Sequence, residues 1–136
     1  GQAVLDSEGL MGQVIEVYGS SSKVLLISDS SHALPVQVSR NGMRSIVEGR
    51  GSYKKLRLRY VTPASDIAIG DLLTSSGLGK RYPAGYPVGV ITSIDSLKGS
   101  PYLDVSLKPS AHLDRSRYVL LVSQSVEKFG VGQDDK

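Results

Sequence analysis

Along most of the chain, apolar residues recur at every second position, the spacing that sets alternate side chains on one face of an extended strand. Leu34, Val36 and Val38 alternate with Pro35, Gln37 and Ser39, and Leu56, Leu58 and Tyr60 alternate with Lys55, Arg57 and Arg59. Leu103, Val105 and Leu107 repeat the pattern. Each of these segments is expected to bury one face and wet the other. Residues 10–18, 23–28 and 118–122 are apolar on both faces, which predicts strands at the centre of a barrel or a domain contact.

Short polar connections separate these runs, at residues 19–22, 29–31, 41–42, 49–51 and 98–101. Asn41-Gly42 predicts a type I′ hairpin, whose two central residues both take positive φ. Helix has little room: the spacing allows single turns at 63–67 and 110–115, each with Asp or Ser available as a cap. Strands at this density point to barrels or a sandwich. The best internal boundary is residues 61–65, because Pro63 biases Thr62 to an extended conformation and interrupts any ladder. A weak echo between Gly12-Gln-Val-Ile-Glu-Val17 and Gly89-Val-Ile-Thr-Ser-Ile94 supports two similar modules, one from residues 1–60 and one from 61–123, with strand exchange across the boundary left open. Residues 124–136 lack an apolar stripe and are expected to form a flexible tail.

Composition narrows the class. With 136 residues, 40% hydrophobic and 21% charged, the chain can bury a real core, as one ordinary domain or two very small ones. Its net charge of +3 is spread along the sequence rather than blocked, so nucleic acid is not the expected partner. The longest apolar runs, 24–27 and 118–122, fall far short of the roughly 20 residues a bilayer span needs, and Gly1-Gln2 begins no signal peptide. The sequence thus reads as an excised soluble fragment. The absence of cysteine excludes disulfide and thiolate chemistry and leaves the compartment open.

Enzyme readings find little support. His32 precedes Asp66 and Asp71, and serines follow, so chain order alone permits the triad of a chymotrypsin-like hydrolase. No Gly-Asp-Ser-Gly nucleophile turn is present, however, and residues 70–77 place leucines where the nucleophile and oxyanion donors belong. The expectation is no catalytic residue, with His32 in a turn and His112 on a short surface turn. Two distant histidines without cysteine make no usual zinc set, so no metal is expected. Residues 76–80 faintly resemble a phosphate loop, but Thr74 and Arg81 break the motif and no helix is expected to follow, so no cofactor is expected. Lys55, Arg57 and Arg59 could bind an acidic protein, a glycan or phosphate; such cations also protect the edge of a sheet, which is the stronger reading. Tyr82, Tyr86 and Tyr102 suit either an interface or a barrel corner with the hydroxyl wet.

The most specific stretch is residues 66–89. Gly70, Gly77, Gly79, Gly85 and Gly89, interleaved with Pro83 and Pro87, supply the positive φ values and fixed turns of small-barrel corners. The order Gly70-Asp-Leu-Leu-Thr-Ser-Ser-Gly-Leu-Gly79, then Tyr82-Pro-Ala-Gly-Tyr-Pro-Val-Gly89, resembles the C-terminal β region of the MreC family, bacterial rod-shape proteins of the cell-wall elongation machinery. Gly9-Leu-Met-Gly-Gln-Val-Ile-Glu-Val17, Lys23-Val-Leu-Leu-Ile-Ser-Asp29, Ala33-Leu-Pro-Val-Gln-Val-Ser-Arg40, Leu113-Asp-Arg115 and Tyr118-Val-Leu-Leu-Val122 extend the likeness over residues 9–122. The resemblance implies an all-β fold of two small β-barrel-like domains with short turns and little helix. It also implies a non-catalytic scaffold that maintains rod shape, self-associates and activates the elongation penicillin-binding transpeptidase. MreD, RodA and the MreB system are implied as further partners. The implied location is the periplasm, with the full-length protein held at the inner membrane by an N-terminal helix and coiled coil not found in this sequence. On that reading Lys55, Arg57, Arg59, Tyr82, Tyr86 and Tyr102 are candidate interface residues, and Asn41, Gly42, Gly70, Gly77, Gly79, Pro83, Gly85 and Gly89 are structural turns. A chymotrypsin-like hydrolase, active or degenerate, and a glycan- or polyanion-binding β module are the alternatives.

Overall fold

The protein is described here by a computed structural model covering residues 2–114 and 120–122. Its strands are β1 (Ala3–Leu5), β2 (Leu10–Tyr18), β3 (Ser21–Leu26), β4 (Ala33–Val38), β5 (Arg44–Ser52), β6 (Lys55–Arg59), β7 (Leu72–Ser75), β8 (Pro87–Ser96), β9 (Leu103–Pro109) and β10 (Leu120–Val122). They form two units. Strands β4-β5-β6-β9-β8-β7 close into a barrel, and β10-β1-β2-β3 make an open four-stranded sheet.

The period-two segments behave as the spacing requires. Leu34, Val36 and Val38 of β4, Leu56 and Leu58 of β6, and Val105 and Leu107 of β9 all point into the barrel and are buried, with Val47, Leu73 and Ile91 completing its core. Each such side chain contributes about 1.5–3 kcal/mol relative to exposure. Every pairing in the barrel is antiparallel.

The sheet is joined to the barrel by residues 27–32, which run along β5. Gly49 N–H donates to the His32 carbonyl (3.0 Å) and Gly51 N–H to the Ser28 carbonyl (2.7 Å). A Cβ at Gly49 would collide with the Asp29 carbonyl, so this close crossing requires glycine. On the other side, a Cβ at Gly9 would lie 2.8 Å from the Pro87 carbonyl oxygen, where the sheet presses on β8.

The all-β class holds, but several local expectations are corrected. The boundary near Val61 falls between β6 and β7, and both sides of it contribute three strands to one closed barrel. Pro63 marks a loop within the barrel rather than a gap between two barrels. Consequently β6 is no edge strand: it lies between β5 and β9, so its cations do not protect an edge. Residues 49–51 lie within β5, at an irregularity between Gly49 and Ser52, and not in a turn. The expected single helical turns at 63–67 and within 110–114 are irregular turns; residue 115 lies outside the described residues. The single helical element described is a 3-10 turn at Leu78–Lys80, in the stretch expected to lack one.

Nor are the doubly apolar segments central throughout. β2 buries Leu10, Met11, Gly12 and Val14, but Val17 is 70% exposed, and β3 is one edge of the sheet. β10 pairs with β1 alone. Residues 118–119 and the tail expected at 124–136 lie outside the described residues.

Candidate docking surfaces

The glycine- and proline-rich stretch forms a bracket between the two units. Gly70, Gly77, Gly79 and Gly85 take positive φ, whereas Gly89 sits inside β8, where a Cβ would lie 2.8 Å from the Lys108 carbonyl oxygen. Ser75 pins the loop that follows it. Its hydroxyl donates to the Pro83 carbonyl (2.6 Å) and accepts from Tyr86 N–H (3.0 Å), while its own backbone bonds Tyr86 and Gly85. Arg81 reaches across to Gln13 Oε1 of β2 at 3.3 Å.

Within this bracket Tyr82 is 3% exposed, and its hydroxyl lies 2.7 Å from Nε2 of His32, itself 1% exposed. The rings meet edge to face, with centroids 5.7 Å apart. Burial, reinforced by the nearby Arg81 charge, pushes the His32 pKa down to about 4. Burial likewise pushes the Tyr82 phenol up to about 12. Both groups are therefore neutral at pH 7. Tyr82 is a core residue, correcting its place among candidate surface contacts, because the buried His32 gives its hydroxyl a partner away from water. Tyr86 is half-buried against the same core.

A second set fastens the β4–β5 turn. Arg40 donates from Nε to Asp71 Oδ1 (3.0 Å) and from Nη2 to Asp71 Oδ2 (2.9 Å), a bidentate pair, and Nη2 also reaches Asp66 Oδ1 at 3.2 Å. Asn41 Nδ2 donates to the Asp66 carbonyl at 2.9 Å. The Arg40 hydrogen bonds, with a further one from Ala68 N–H, hold the Asp71 carboxyl below the usual carboxylate range against the effect of burial. The turn itself is not type I′. Only Gly42 takes positive φ (74°), Gly42 N–H bonds the Val38 carbonyl, and the Asn41 side chain accepts from Met43 N–H. Chain order had allowed His32 and Asp71 to share a triad, but they have separate partners, Tyr82 and Arg40.

The third set is an exposed face. On adjacent strands Glu48 stands opposite Arg57 and next to Arg59. Arg57 Nη2 lies 3.3 Å from Glu48 Oε1, and Arg59 Nε lies 2.6 Å from Glu48 Oε2. Burial works against the Glu48 carboxylate, but its two arginines outweigh that and keep its pKa below the usual value. Immediately after β6, Tyr60 takes φ 59°, the one positive-φ residue besides glycine among the described residues, and its side chain is 68% exposed. This reverses the alternation, which expected Tyr60 inside; Val61 is buried in its place. Tyr60 packs on Tyr102, with ring centroids 5.4 Å apart, and the Arg59 guanidinium lies 5.7 Å from the Tyr60 ring centre. The half-exposed Leu97 lies beside them, and the shallow pocket shared by these groups has a volume of about 250 Å³.

Of the candidate interface residues, Arg57, Arg59 and Tyr102 thus line one pocket, while Lys55, on the same outer side of β6, lines a different groove. Among the described residues, no cluster of three His, Asp or Glu side chains could hold a metal ion, and no helix is long and apolar enough to cross a membrane.

A closed six-stranded barrel braced to an open four-stranded sheet defines an all-β module. The chain matches the family described as "Rod shape-determining protein MreC, barrel core" over residues 1–123, and it belongs to that family. It is 46% identical to the cell shape-determining protein MreC of Haemophilus influenzae over 90% of this chain and 35% of that protein. It spans about a third of the length of the curated relatives it matches. Its fold matches the crystal structure of MreC from Pseudomonas aeruginosa with a TM-score of 0.86 and 52% identity, covering 90% of this chain and 79% of that one. A complex between penicillin-binding protein PBP2 and MreC from Helicobacter pylori contains the same fold, with a TM-score of 0.69 and 21% identity over 88% of this chain and 74% of that one.

Proposed function

We propose that this chain is the docking core of a non-catalytic scaffold that maintains rod shape by binding the elongation transpeptidase and further copies of itself. The observation that carries the proposal is Tyr60: a large aromatic side chain held in solvent, in a backbone conformation that costs about 1–2 kcal/mol for an L residue. Such strain at an exposed aromatic fits a contact residue better than a core one. Family membership, and the H. pylori relative found with PBP2, point to a transpeptidase as the partner. Binding would act by favouring the partner conformation it contacts best. The free β3 edge and exposed Val17 and Tyr18 suit self-association. The proposed location is the periplasm, with the full-length protein anchored at the inner membrane and MreD, RodA and the MreB system as further partners.

The test is surface-immobilised binding of a purified elongation transpeptidase to this chain. Saturable binding that Tyr60→Ser with Tyr102→Ser weakens at least tenfold is the expected result. Unchanged affinity in that folded variant would remove this face from the interface, and turnover of ester or peptide lost in His32→Ala would overturn the non-catalytic reading.

A further inference from the structure

A groove of about 840 Å³ runs over the outside of the barrel, away from the Tyr60 face. Ladder register builds its floor. Leu56 pairs with Leu107, which sets Lys55 beside Lys108 one residue further along; Lys108 pairs with Val90, and Val90 with Leu72. Paired residues in a sheet project from the same face. Because Leu56, Leu107 and Ile91 point into the barrel, the row Lys55, Lys108, Val90, Leu72 points out of it. One end of the groove is therefore cationic, with Lys54 adjoining, and the other has an apolar floor, while Leu113, Asp114 and the Glu8–His112 pair also line the groove.

Two features separate this row from an ordinary solvated face. Like charges close together on a sheet are destabilising, yet Lys55 and Lys108 each adjoin the last pair of the β6–β9 ladder, Leu56 and Leu107, on the same side. Among the described residues, no carboxylate lies within ion-pair distance of Lys54, Lys55 or Lys108. By contrast, the arginines on the neighbouring face share Glu48. The groove thus gathers three lysines at one end of a half-buried aliphatic floor, with the acidic Glu8 and Asp114 also in its lining, and its volume falls in the range of about 300–1,000 Å³ typical of ligand sites.

We propose that this groove binds an extended peptide segment of a partner protein, with an acidic residue on Lys55 and Lys108 and apolar residues at the second and fourth positions beyond it. The spacing follows from sheet geometry. Three strand-to-strand steps separate Lys55 from Leu72, about 14 Å, and an extended peptide covers the same distance in four residues, with alternate side chains on one face. A carboxylate at one position and aliphatic groups two and four residues on therefore fall over the lysines, Val90 and Leu72 in turn. The inference is independent of the transpeptidase reading, which concerns the Tyr60 face.

The experiment is an NMR titration of the isotope-labelled chain with the capped pentapeptide Glu-Ser-Leu-Ser-Leu, and in parallel with its Gln-Ser-Leu-Ser-Leu counterpart. Saturable shifts of the Leu72, Val90 and Lys108 amides are expected, with at least fivefold weaker binding of the Gln peptide and weakening as salt rises. Lys55→Glu with Lys108→Glu should abolish the shifts, and the milder Lys55→Gln with Lys108→Gln should weaken them, both with a preserved spectrum. Equal affinity for the two peptides, shifts confined to the Tyr60–Tyr102 face, or no shift up to millimolar peptide would overturn the proposal. Sedimentation with phosphatidylglycerol vesicles in the absence of peptide binding would overturn it in favour of a lipid surface.

Discussion

His32 and Tyr82, fifty positions apart in sequence, share a 2.7 Å hydrogen bond inside the joint between sheet and barrel. A histidine kept neutral by burial ties stability to pH. Its pKa falls from 6.5 to about 4 on folding, so below pH 6.5 the unfolded chain binds more protons than the folded one. The contribution is complete above pH 6.5 and is lost as pH falls through about 4. At the lowest pH the loss is of the order of 3 kcal/mol. Thermal melts from pH 7 to pH 4 should show a fall in Tm that is flattened in His32→Gln. Parallel profiles for the two proteins would refute it.

The Arg40–Asp71 pair gives a different signature. Asp71 is nearly buried and its pKa is depressed, so its contribution is present above the unfolded carboxylate range and is lost as pH falls through the folded value. Arg40→Ala leaves that carboxylate without its bidentate donor. Urea denaturation at pH 7 should show a lower midpoint than the parent, because a hydrogen-bonded carboxylate loses its charged donor. An unchanged midpoint would mean that water replaces Arg40 at no cost.

Gly42 takes φ 74° with open space around its Cα, so a side chain there meets backbone strain rather than a clash. Gly42→Val should destabilise by about 1–2 kcal/mol, and Gly42→Ala by less. Denaturation curves of the pair give the comparison; equal and negligible effects would count against strain at this turn.

Tyr60 allows strain and binding to be separated. Replacing it with glycine removes the steric cost of φ 59° at the expense of chain entropy, so stability should stay within about 1 kcal/mol of the parent. Transpeptidase affinity should nevertheless fall. A variant as tightly bound as the parent would assign the strained tyrosine a purely local role.

The sequence disclosed its strands wherever one face is buried, as in 34–38 and 103–107, because alternation is a local property. It did not disclose which strands meet. Pro63 carries the local mark of a boundary, yet closure of the barrel depends on β4 pairing with β7 and β6 with β9, contacts across long intervals. The two tyrosines show the same limit at the candidate site. Tyr82 is inside because of a histidine fifty positions away, which no window of neighbours contains. Tyr60 is outside because the chain turns left-handed there, and the available signal was Val61, an apolar residue following where the alternation called for a polar one.

The pairing of β1 with β10 has a consequence for how the protein is made. Ala3 faces Val122, so β1 leaves the ribosome with one side unpaired and waits for β10, which follows all the other strands described. The barrel, by contrast, draws only on residues 33–109 and can close earlier. Long-range pairings of this kind form slowly because a large loop must be closed before any contact rewards it. Until β10 arrives, a finished barrel is flanked by an incomplete sheet, and in that interval the bare flank of β1 is open to a strand from a neighbouring nascent chain.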